Sequence, residues 1–183
     1  MHAVITRNAV RRTLTGGLAA FTLVGGSLLA ASPGQTAAPP KCNGETATIV
    51  GTPERDTLTG TNERDVIVGM QSTDTITGLQ GNDLICGGGG SDVIDAGDGK
   101  DKVLSGGSSD SVQGGEGRDT IIGNGADDVL EGGLDNDTIK GSAGSDALAG
   151  NEGNDDLIGG QGEDTATGGT GDDTCDAEIV VEC

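Results

Sequence analysis

Residues 87–95 read Gly-Gly-Gly-Gly-Ser-Asp-Val-Ile-Asp, and nine-residue units of this kind fill the chain from about residue 51 to residue 176. Each unit has an aspartate at its sixth position and, in nearly every case, an aliphatic residue at its eighth. A glycine opens every unit except those that begin at Ala96 and Ser105. The aspartates are Asp56, Asp65, Asp74, Asp83, Asp92, Asp101, Asp110, Asp119, Asp128, Asp137, Asp146, Asp155, Asp164 and Asp173. An unbroken repeat of this length predicts a solenoid in which each unit packs on its neighbours.

Each unit is interpreted as a six-residue turn followed by a three-residue strand. Glycines in the turn supply backbone conformations that other residues reach only at a cost. Side chains alternate along a strand, so the aliphatic middle residue, such as Ile94, is expected to face inward. Two units then make one eighteen-residue coil with two strands on opposite sides. Each turn stacks on the turn two units later, roughly 4.8 Å away.

Four turns have the complete pattern Gly-Gly-x-Gly-x-Asp: 87–92, 114–119, 159–164 and 168–173. In this the chain resembles the RTX family of glycine- and aspartate-rich nonapeptide repeats, whose units bind calcium in a parallel β-helix. The resemblance covers about two-thirds of the chain. It implies an all-β fold, a parallel β-roll or right-handed β-solenoid. It also implies that Ca²⁺ lies between successive coils, held by aspartate carboxylates and turn carbonyls.

The chemistry of the repeat favours calcium independently of the resemblance. Ca²⁺ takes six to eight oxygen ligands in adaptable geometry, and glycine-rich turns let carbonyl oxygens point at an ion. A stacked column of carboxylates also repels itself unless a cation lies between its levels. The alternative is a structural aspartate ladder that binds no metal.

The turns differ at their fourth position, which is glycine only at residues 81, 90, 99, 117, 144, 153, 162 and 171. A site needs two such turns stacked on each other, which selects the pairs Asp83–Asp101, Asp101–Asp119, Asp146–Asp164 and Asp155–Asp173 as the first to fill. The predicted metal ligands are Asp83, Asp92, Asp101, Asp119, Asp146, Asp155, Asp164 and Asp173. The turns that end at Asp56 and Asp65 carry Glu54 and Glu63 instead and are expected to be empty spacers.

Charge and composition indicate how the chain folds and which partners it binds poorly. Thirty acidic residues follow residue 42, against six basic ones, which gives this part a formal charge of −24. Such a chain is a poor partner for nucleic acid or an anionic membrane. Few large apolar residues and a high net charge are typical of disorder, so we expect calcium binding and folding to be coupled. Extracellular calcium modules bind at roughly 10⁻⁴ to 10⁻³ M, and weak, cooperative sites are expected here.

The first forty residues form a separate segment. Arginines at 7, 11 and 12 precede an apolar run from Leu14 to Ala31, and small residues end it. This pattern predicts a secretory signal peptide at 1–31 and a linker at 32–41, hence a secreted, extracellular protein with no membrane span once the signal is removed. The alternative is a retained membrane anchor, against which the short, glycine-broken run argues.

Four cysteines, Cys42, Cys86, Cys175 and Cys183, allow three pairings, and an even count in a secreted chain suggests disulfides. We favour Cys175–Cys183, which closes the final coil, and therefore Cys42–Cys86. Free thiols or a metal site are the other interpretations, although no C-x-x-C spacing supports zinc.

The two ends of the solenoid need caps, because they expose strand edges. Residues 42–50 are interpreted as a degenerate first unit with Ile49 inward and Ala47 in place of the aspartate, and residues 177–183 as a C-terminal cap. One sheet is also expected to carry an apolar stripe on its outer face, which we define as the row Val50, Val68, Cys86, Leu104, Ile122, Lys140, Ile158 and Asp176. The stripe is either covered by the N-terminal segment or a surface for self-association or a cell-surface partner through Val68, Leu104, Ile122 and Ile158.

Catalysis is not expected. The single histidine, His2, lies in the predicted leader, and no base is placed to activate the many serines and threonines. Three hypotheses follow: a stand-alone secreted calcium-binding protein with a structural or buffering role, which we favour; a calcium-dependent adhesion or interaction module; and a fragment of an enzyme or toxin.

Overall fold

The structure, a computed structural model, describes a short strand at Val10–Arg11 and residues 38–183. Apart from that strand, the predicted signal peptide at 1–31 and most of the predicted linker at 32–41 lie outside the described residues. Within those residues, no helix has the length and apolar character needed to cross a membrane.

The described residues form twenty strands and contain no helix. In chain order the strands are β1 (Val10–Arg11), β2 (Lys41–Cys42), β3 (Glu45–Thr46), β4 (Ile49–Val50), β5 (Thr57–Thr59), β6 (Val66–Gln71), β7 (Thr75–Thr77), β8 (Gln80–Gly81), β9 (Leu84–Gly89), β10 (Val93–Gly99), β11 (Lys102–Gly107), β12 (Ser111–Glu116), β13 (Thr120–Gly125), β14 (Val129–Leu134), β15 (Thr138–Ala143), β16 (Ala147–Glu152), β17 (Asp156–Gln161), β18 (Thr165–Thr170), β19 (Thr174–Asp176) and β20 (Ile179–Val181).

Alternate strands build two sheets that face each other across the interior. Sheet A has the order β5-β7-β10-β12-β14-β16-β18-β20, with β8 also paired to β10. Sheet B has the order β1-β4-β6-β9-β11-β13-β15-β17-β19. Pairing along the repeat is parallel, and equivalent residues stack eighteen positions apart, as Val103 does on Ile121. The predicted all-β, parallel β-solenoid with two strands per eighteen-residue coil is therefore confirmed.

The interior consists of two thin columns of aliphatic side chains. One residue from each of fourteen strands points inward and is buried, with each contacting its equivalents in the coils on either side. The column residues are Ile49, Leu58, Ile67, Ile76, Ile85, Ile94, Val103, Val112, Ile121, Leu130, Ile139, Leu148, Leu157 and Ala166. Full burial of one such Leu or Ile side chain contributes roughly 1.5–3 kcal/mol, so the core is spread along the axis rather than concentrated.

From β9 to β18 the strands are six or seven residues long, not the three that the sequence suggested. The ladder continues through the first half of each turn, as in the pairing of Gly106 with Asn124 and of Gly115 with Gly133. Turns of equal length stack in register, so their backbone groups can pair like those of the strands. The repeat is thus a six-residue strand and a three-residue corner.

A hairpin of β2 and β3 covers the outer face of sheet B at its N-terminal end. Cys42 and Ala47 are buried against Val66, Val68 and Leu84 in a second apolar cluster. The Cys42–Cys86 disulfide joins the hairpin to β9, with the two Cα atoms 5.7 Å apart. The hairpin therefore covers the beginning of the apolar stripe. Farther along, Ile122 and Ile158 are half-buried.

The last coil is shorter than the others. Strand β20 pairs with β18 so that Ile179 lies beside Thr165, fourteen residues earlier instead of eighteen. The turn between β19 and β20 therefore has only two residues, Ala177 and Glu178. The Cys175–Cys183 disulfide spans this coil, with Cα atoms 6.2 Å apart. Both disulfides are those that the sequence favoured.

Candidate metal centre

The repeat aspartates form two columns, one along each row of turns. The A column precedes the strands of sheet A and contains Asp56, Asp74, Asp92, Asp110, Asp128, Asp146 and Asp164. The B column precedes the strands of sheet B and contains Asp65, Asp83, Asp101, Asp119, Asp137, Asp155 and Asp173. All are buried except Asp173, which is half-buried. Buried carboxylates are unusual unless they are paired or bind a metal.

Each carboxylate contacts the coil before it. The backbone N–H of Asp83 donates to Oδ1 of Asp101 at 2.7 Å, and the N–H of Asp101 donates to Oδ1 of Asp119 at 2.8 Å. The same bond joins Asp146 to Asp164 at 2.8 Å and Asp155 to Asp173 at 2.9 Å. The structure thus brings together the two members of each predicted pair.

Asp92 is the remaining predicted ligand, and its neighbours are weaker candidates. It lies between Asp74 and Asp110 in the A column, bonded through the N–H of Asp74 and through its own N–H to Asp110. The turns of both neighbours carry serine at the fourth position, at Ser72 and Ser108. Asp92 therefore has no glycine-rich partner turn.

The second oxygen of most of these carboxylates is buried without a hydrogen-bond partner. This is Oδ2 in eleven aspartates: Asp74, Asp83, Asp92, Asp101, Asp110, Asp119, Asp128, Asp137, Asp146, Asp155 and Asp164. Leaving a buried polar atom unsatisfied costs about 1–3 kcal/mol, and more if the group is charged. A proton or a cation at each level would therefore stabilise this array of buried oxygens.

The pKa values of these carboxyl groups also indicate that the columns are stabilised by a proton or a cation. Burial raises the pKa of Asp119 to about 8 and that of Asp83 to about 7, although the backbone hydrogen bond from the preceding coil opposes the rise in each case. Neighbouring carboxylates of the same column raise both pKa values further. Burial likewise raises the pKa of Asp101 to about 6 and that of Asp137 to about 7. The metal-free columns therefore disfavour their charged form.

The columns supply few side-chain ligands per level. Between residues 38 and 183, no three acidic, histidine or cysteine side chains converge on one point. This follows from the geometry, since each column has one repeat aspartate per coil. A cation between two levels would have to take most of its ligands from backbone carbonyls, which calcium accepts readily.

The turn backbone separates two groups of turns at the fourth position. Glycines there have φ between +116° and +151°, whereas Ser72, Ala126 and Asp135 have φ of +71° to +77°. The first range is essentially restricted to glycine, and the second is the ordinary left-handed region. The glycine-rich turns thus follow a backbone path that the others do not.

Carbonyl oxygens approach the glycine-rich turns closely. A Cβ added at Gly99 would collide with the carbonyl oxygen of Gly81, and one at Gly117 would collide with that of Gly99. The same relation holds for Gly162 over Gly144 and for Gly171 over Gly153. In each predicted pair, a turn carbonyl of the earlier coil therefore points toward the later coil. The aspartate that ends each turn adds carboxylate oxygens. Oxygen ligands of both kinds fit a calcium ion.

The first two turns are built differently. The hydroxyl of Thr52 donates to Oδ2 of Asp56 at 2.9 Å, and that of Thr61 donates to Oδ2 of Asp65 at 2.9 Å. The backbone N–H groups of the two threonines donate to the same oxygens. This role of the threonines was not predicted. The available signal was the Thr-x-Glu turn before each of the two aspartates, because threonine hydroxyls commonly bond to nearby backbone and carboxylate groups.

Glu178 is a second residue that the repeat pattern did not reveal. Its Oε2 accepts the backbone N–H of Asp164 at 3.0 Å, the bond that a repeat aspartate would otherwise accept. Glu178 precedes β20 as each repeat aspartate precedes its strand, so it takes the aspartate's place in the shortened coil.

The outer face of sheet A has a shallow groove of about 620 Å³. Its lining includes Asp95, Glu116, Glu131 and Glu152, between Leu79 and Leu134. The described lining residues include no histidine, cysteine or lysine.

Comparison with known families gives one match. The model described as RTX calcium-binding nonapeptide repeat (4 copies) matches the chain at residues 50–85, 69–103, 86–112, 104–139 and 140–175. These ranges include every repeat aspartate. No curated protein matches the chain.

Proposed function

The chain belongs to the RTX calcium-binding nonapeptide repeat family, and from this premise we propose that it is a secreted protein that folds as it binds Ca²⁺ between stacked turns. RTX nonapeptide repeats bind Ca²⁺. The sites proposed to fill first are those of Asp83–Asp101, Asp101–Asp119, Asp146–Asp164 and Asp155–Asp173. Its role is structural or buffering rather than catalytic, in keeping with a family defined by its calcium-binding repeats.

The buried, unpartnered oxygens of the aspartate columns are the observation that carries this proposal. Two carboxylates at successive levels, roughly 4.8 Å apart, repel each other by about 3 kcal/mol at an effective dielectric constant of about 20. Bound calcium supplies positive charge that cancels this repulsion. The aspartates then hold the coils together through their Oδ1 bonds to the backbone of the coil before.

Folding on binding is supported by the thin core. The interior columns contain one aliphatic residue per strand, and the described residues contain no aromatic side chain to enlarge them. Conformational entropy costs about 1–2 kcal/mol per residue for the backbone alone. A nine-residue unit with a single buried aliphatic side chain does not offset that cost, so ligand binding must contribute.

Secretion is supported by the two disulfides. Disulfides persist in oxidising compartments and are rare in the cytosol. Cys42–Cys86 and Cys175–Cys183 lie at the two ends of the roll, where the repeat gives way to other structure. An extracellular setting would also supply calcium at the concentrations that weak sites require.

Replacing Asp101 tests the proposed sites, because this residue belongs to two of them. Asp101→Asn keeps the size of the side chain and removes its charge, and it should reduce the number of calcium ions bound by up to two. Asp95→Asn is the matched control, since Asp95 is exposed on sheet A and should leave the stoichiometry unchanged. Equilibrium dialysis measures both. Equal binding by Asp101→Asn and wild type would contradict the assignment.

The alternative is a calcium-dependent interaction module that uses the apolar stripe. The structure leaves fewer residues of the stripe available to a partner, because Val68 is buried and Leu104 packs against the cluster beneath the hairpin. Ile122 and Ile158 remain as the contact residues for such a partner. Calcium-dependent self-association in sedimentation velocity, lost in Ile122→Lys with Ile158→Lys, would favour this alternative.

A further inference from the structure

The first turn of the B column satisfies its carboxylate entirely with the protein's own donors. Oδ2 of Asp65 accepts the N–H of Thr61 at 2.7 Å and its hydroxyl at 2.9 Å. Oδ1 accepts the hydroxyl of Thr48 at 3.0 Å. Asp65 is accordingly absent from the buried aspartates that have an unpartnered oxygen.

The same threonine also fixes the turn backbone. The hydroxyl of Thr61 accepts the N–H of Glu63 at 3.1 Å, which closes a tight local turn. Neither Thr61 nor Glu63 has a positive φ, whereas most later turns do at the equivalent positions. A Cβ added at Gly81 would meet the carbonyl oxygen of Glu63 at 3.0 Å, whereas one added at Gly99 would meet that of Gly81 at 1.5 Å. The turn therefore lacks the backbone path that directs a carbonyl between coils.

We propose that Thr61, assisted by Thr48, takes the place of the cation at Asp65, so that residues 60–65 form a latent calcium turn which excludes the metal. Thr61 is then the residue that determines specificity at this level: its hydroxyl and N–H occupy the oxygen that later turns leave free. The inference rests on the proposed function of the later turns. It predicts that the first coil needs no calcium to form its carboxylate contacts.

The position of this turn lets a coil without calcium support the folding of the coils that follow it. Val66, which follows Asp65, is buried under the N-terminal hairpin, and the Cys42–Cys86 disulfide ties that hairpin to the next strand of sheet B. The metal-independent coil therefore lies at the covalently fixed end of the roll. It can serve as a template on which the next coil stacks when Asp83 and Asp101 bind calcium.

Converting the latent turn into a complete one is the test. Thr61→Gly with Glu63→Gly gives residues 60–65 the full Gly-Gly-x-Gly-x-Asp pattern, opposite the glycine-rich turn 78–83. By equilibrium dialysis, this double variant should bind one calcium ion more than wild type. Glu63→Gly alone is the matched control, and it should add none because Thr61 is retained.

Each outcome separates this inference from the proposed function. If wild type binds no calcium, the proposed function fails. If wild type binds calcium and the folded double variant gains no ion, the inference about Thr61 is wrong. Should the double variant not fold, Thr61→Val decides the matter, since it removes the hydroxyl and keeps the shape. It should lower hydrogen-exchange protection at residues 61–66 in the folded, calcium-saturated protein, and unchanged protection would overturn the proposal.

Discussion

Gly99 is the position where a single methyl group should disturb calcium binding most. It lies at the fourth position of a turn shared by two proposed sites, and its φ of +145° is a conformation that only glycine adopts readily. A Cβ there would collide with the carbonyl oxygen of Gly81. Gly99→Ala must therefore move the turn backbone, and with it the carbonyl that points between the coils.

The size of the effect follows from the backbone conformation. Holding a non-glycine residue in such a region costs about 1–3 kcal/mol, and relief of the collision adds to that cost. A loss of about 2 kcal/mol or more corresponds to roughly a thirtyfold change in an equilibrium constant, since 1.4 kcal/mol is tenfold. We expect a large increase in the calcium midpoint of folding, together with a lower free energy of unfolding in saturating calcium.

Gly107→Ala is the control for this change. Gly107 has no positive φ, and a Cβ built there meets nothing within 4 Å. Circular dichroism during calcium titration, followed by urea unfolding in saturating calcium, measures both variants. Equal shifts of the calcium midpoint of folding in Gly99→Ala and Gly107→Ala would show that the geometry of this turn does not control calcium binding.

Three further predictions concern pH, the core and the N-terminal disulfide. The raised pKa values of Asp83 and Asp119, about 7 and 8, mean that the calcium-free roll binds protons that the unfolded chain releases near pH 4. Protonation therefore stabilises the calcium-free fold below about pH 4, and this stability is lost as pH rises through 6 to 8. Circular dichroism without calcium should show more strand at pH 5 than at pH 8. More strand at pH 8 than at pH 5 would contradict this prediction. Ile121→Ala, in a fully buried position, should lower the unfolding free energy in calcium by about 2–5 kcal/mol, measured by urea denaturation, whereas Val129→Ala at an exposed site should change it little. Cys42→Ser with Cys86→Ser removes the disulfide that closes a loop of 44 residues, and the chain-entropy model attributes about 4 kcal/mol of stability to such a bond. A calcium midpoint of folding equal to that of wild type would show that the hairpin needs no covalent link.

The nine-residue period could predict most of the fold because each unit repeats the same local physics. Ile94 and Ile121 face inward since strand side chains alternate, and eighteen-residue stacking follows once two units make a coil. The pairing of Asp101 with Asp119 could be predicted in the same way, because equal turns must stack in register.

Features that depart from the period could not be predicted from it. The strand length was wrong because turn glycines such as Gly106 join the ladder, a consequence of stacking that no single unit encodes. The roles of Thr61 and Glu178 depend on contacts at the ends of the roll, where a turn is closed differently or shortened. No feature of the repeat indicates that one carboxylate oxygen bonds to the neighbouring coil while the other has no partner.

The central claim is that buried aspartate columns make folding depend on calcium. Far-UV circular dichroism of the purified protein, titrated with Ca²⁺ and separately with Mg²⁺, tests it most directly. We expect a cooperative change from coil to strand with Ca²⁺, little change with Mg²⁺, and reversal by EDTA. A strand spectrum that neither calcium nor EDTA alters would contradict it and would indicate a metal-independent solenoid held by its disulfides.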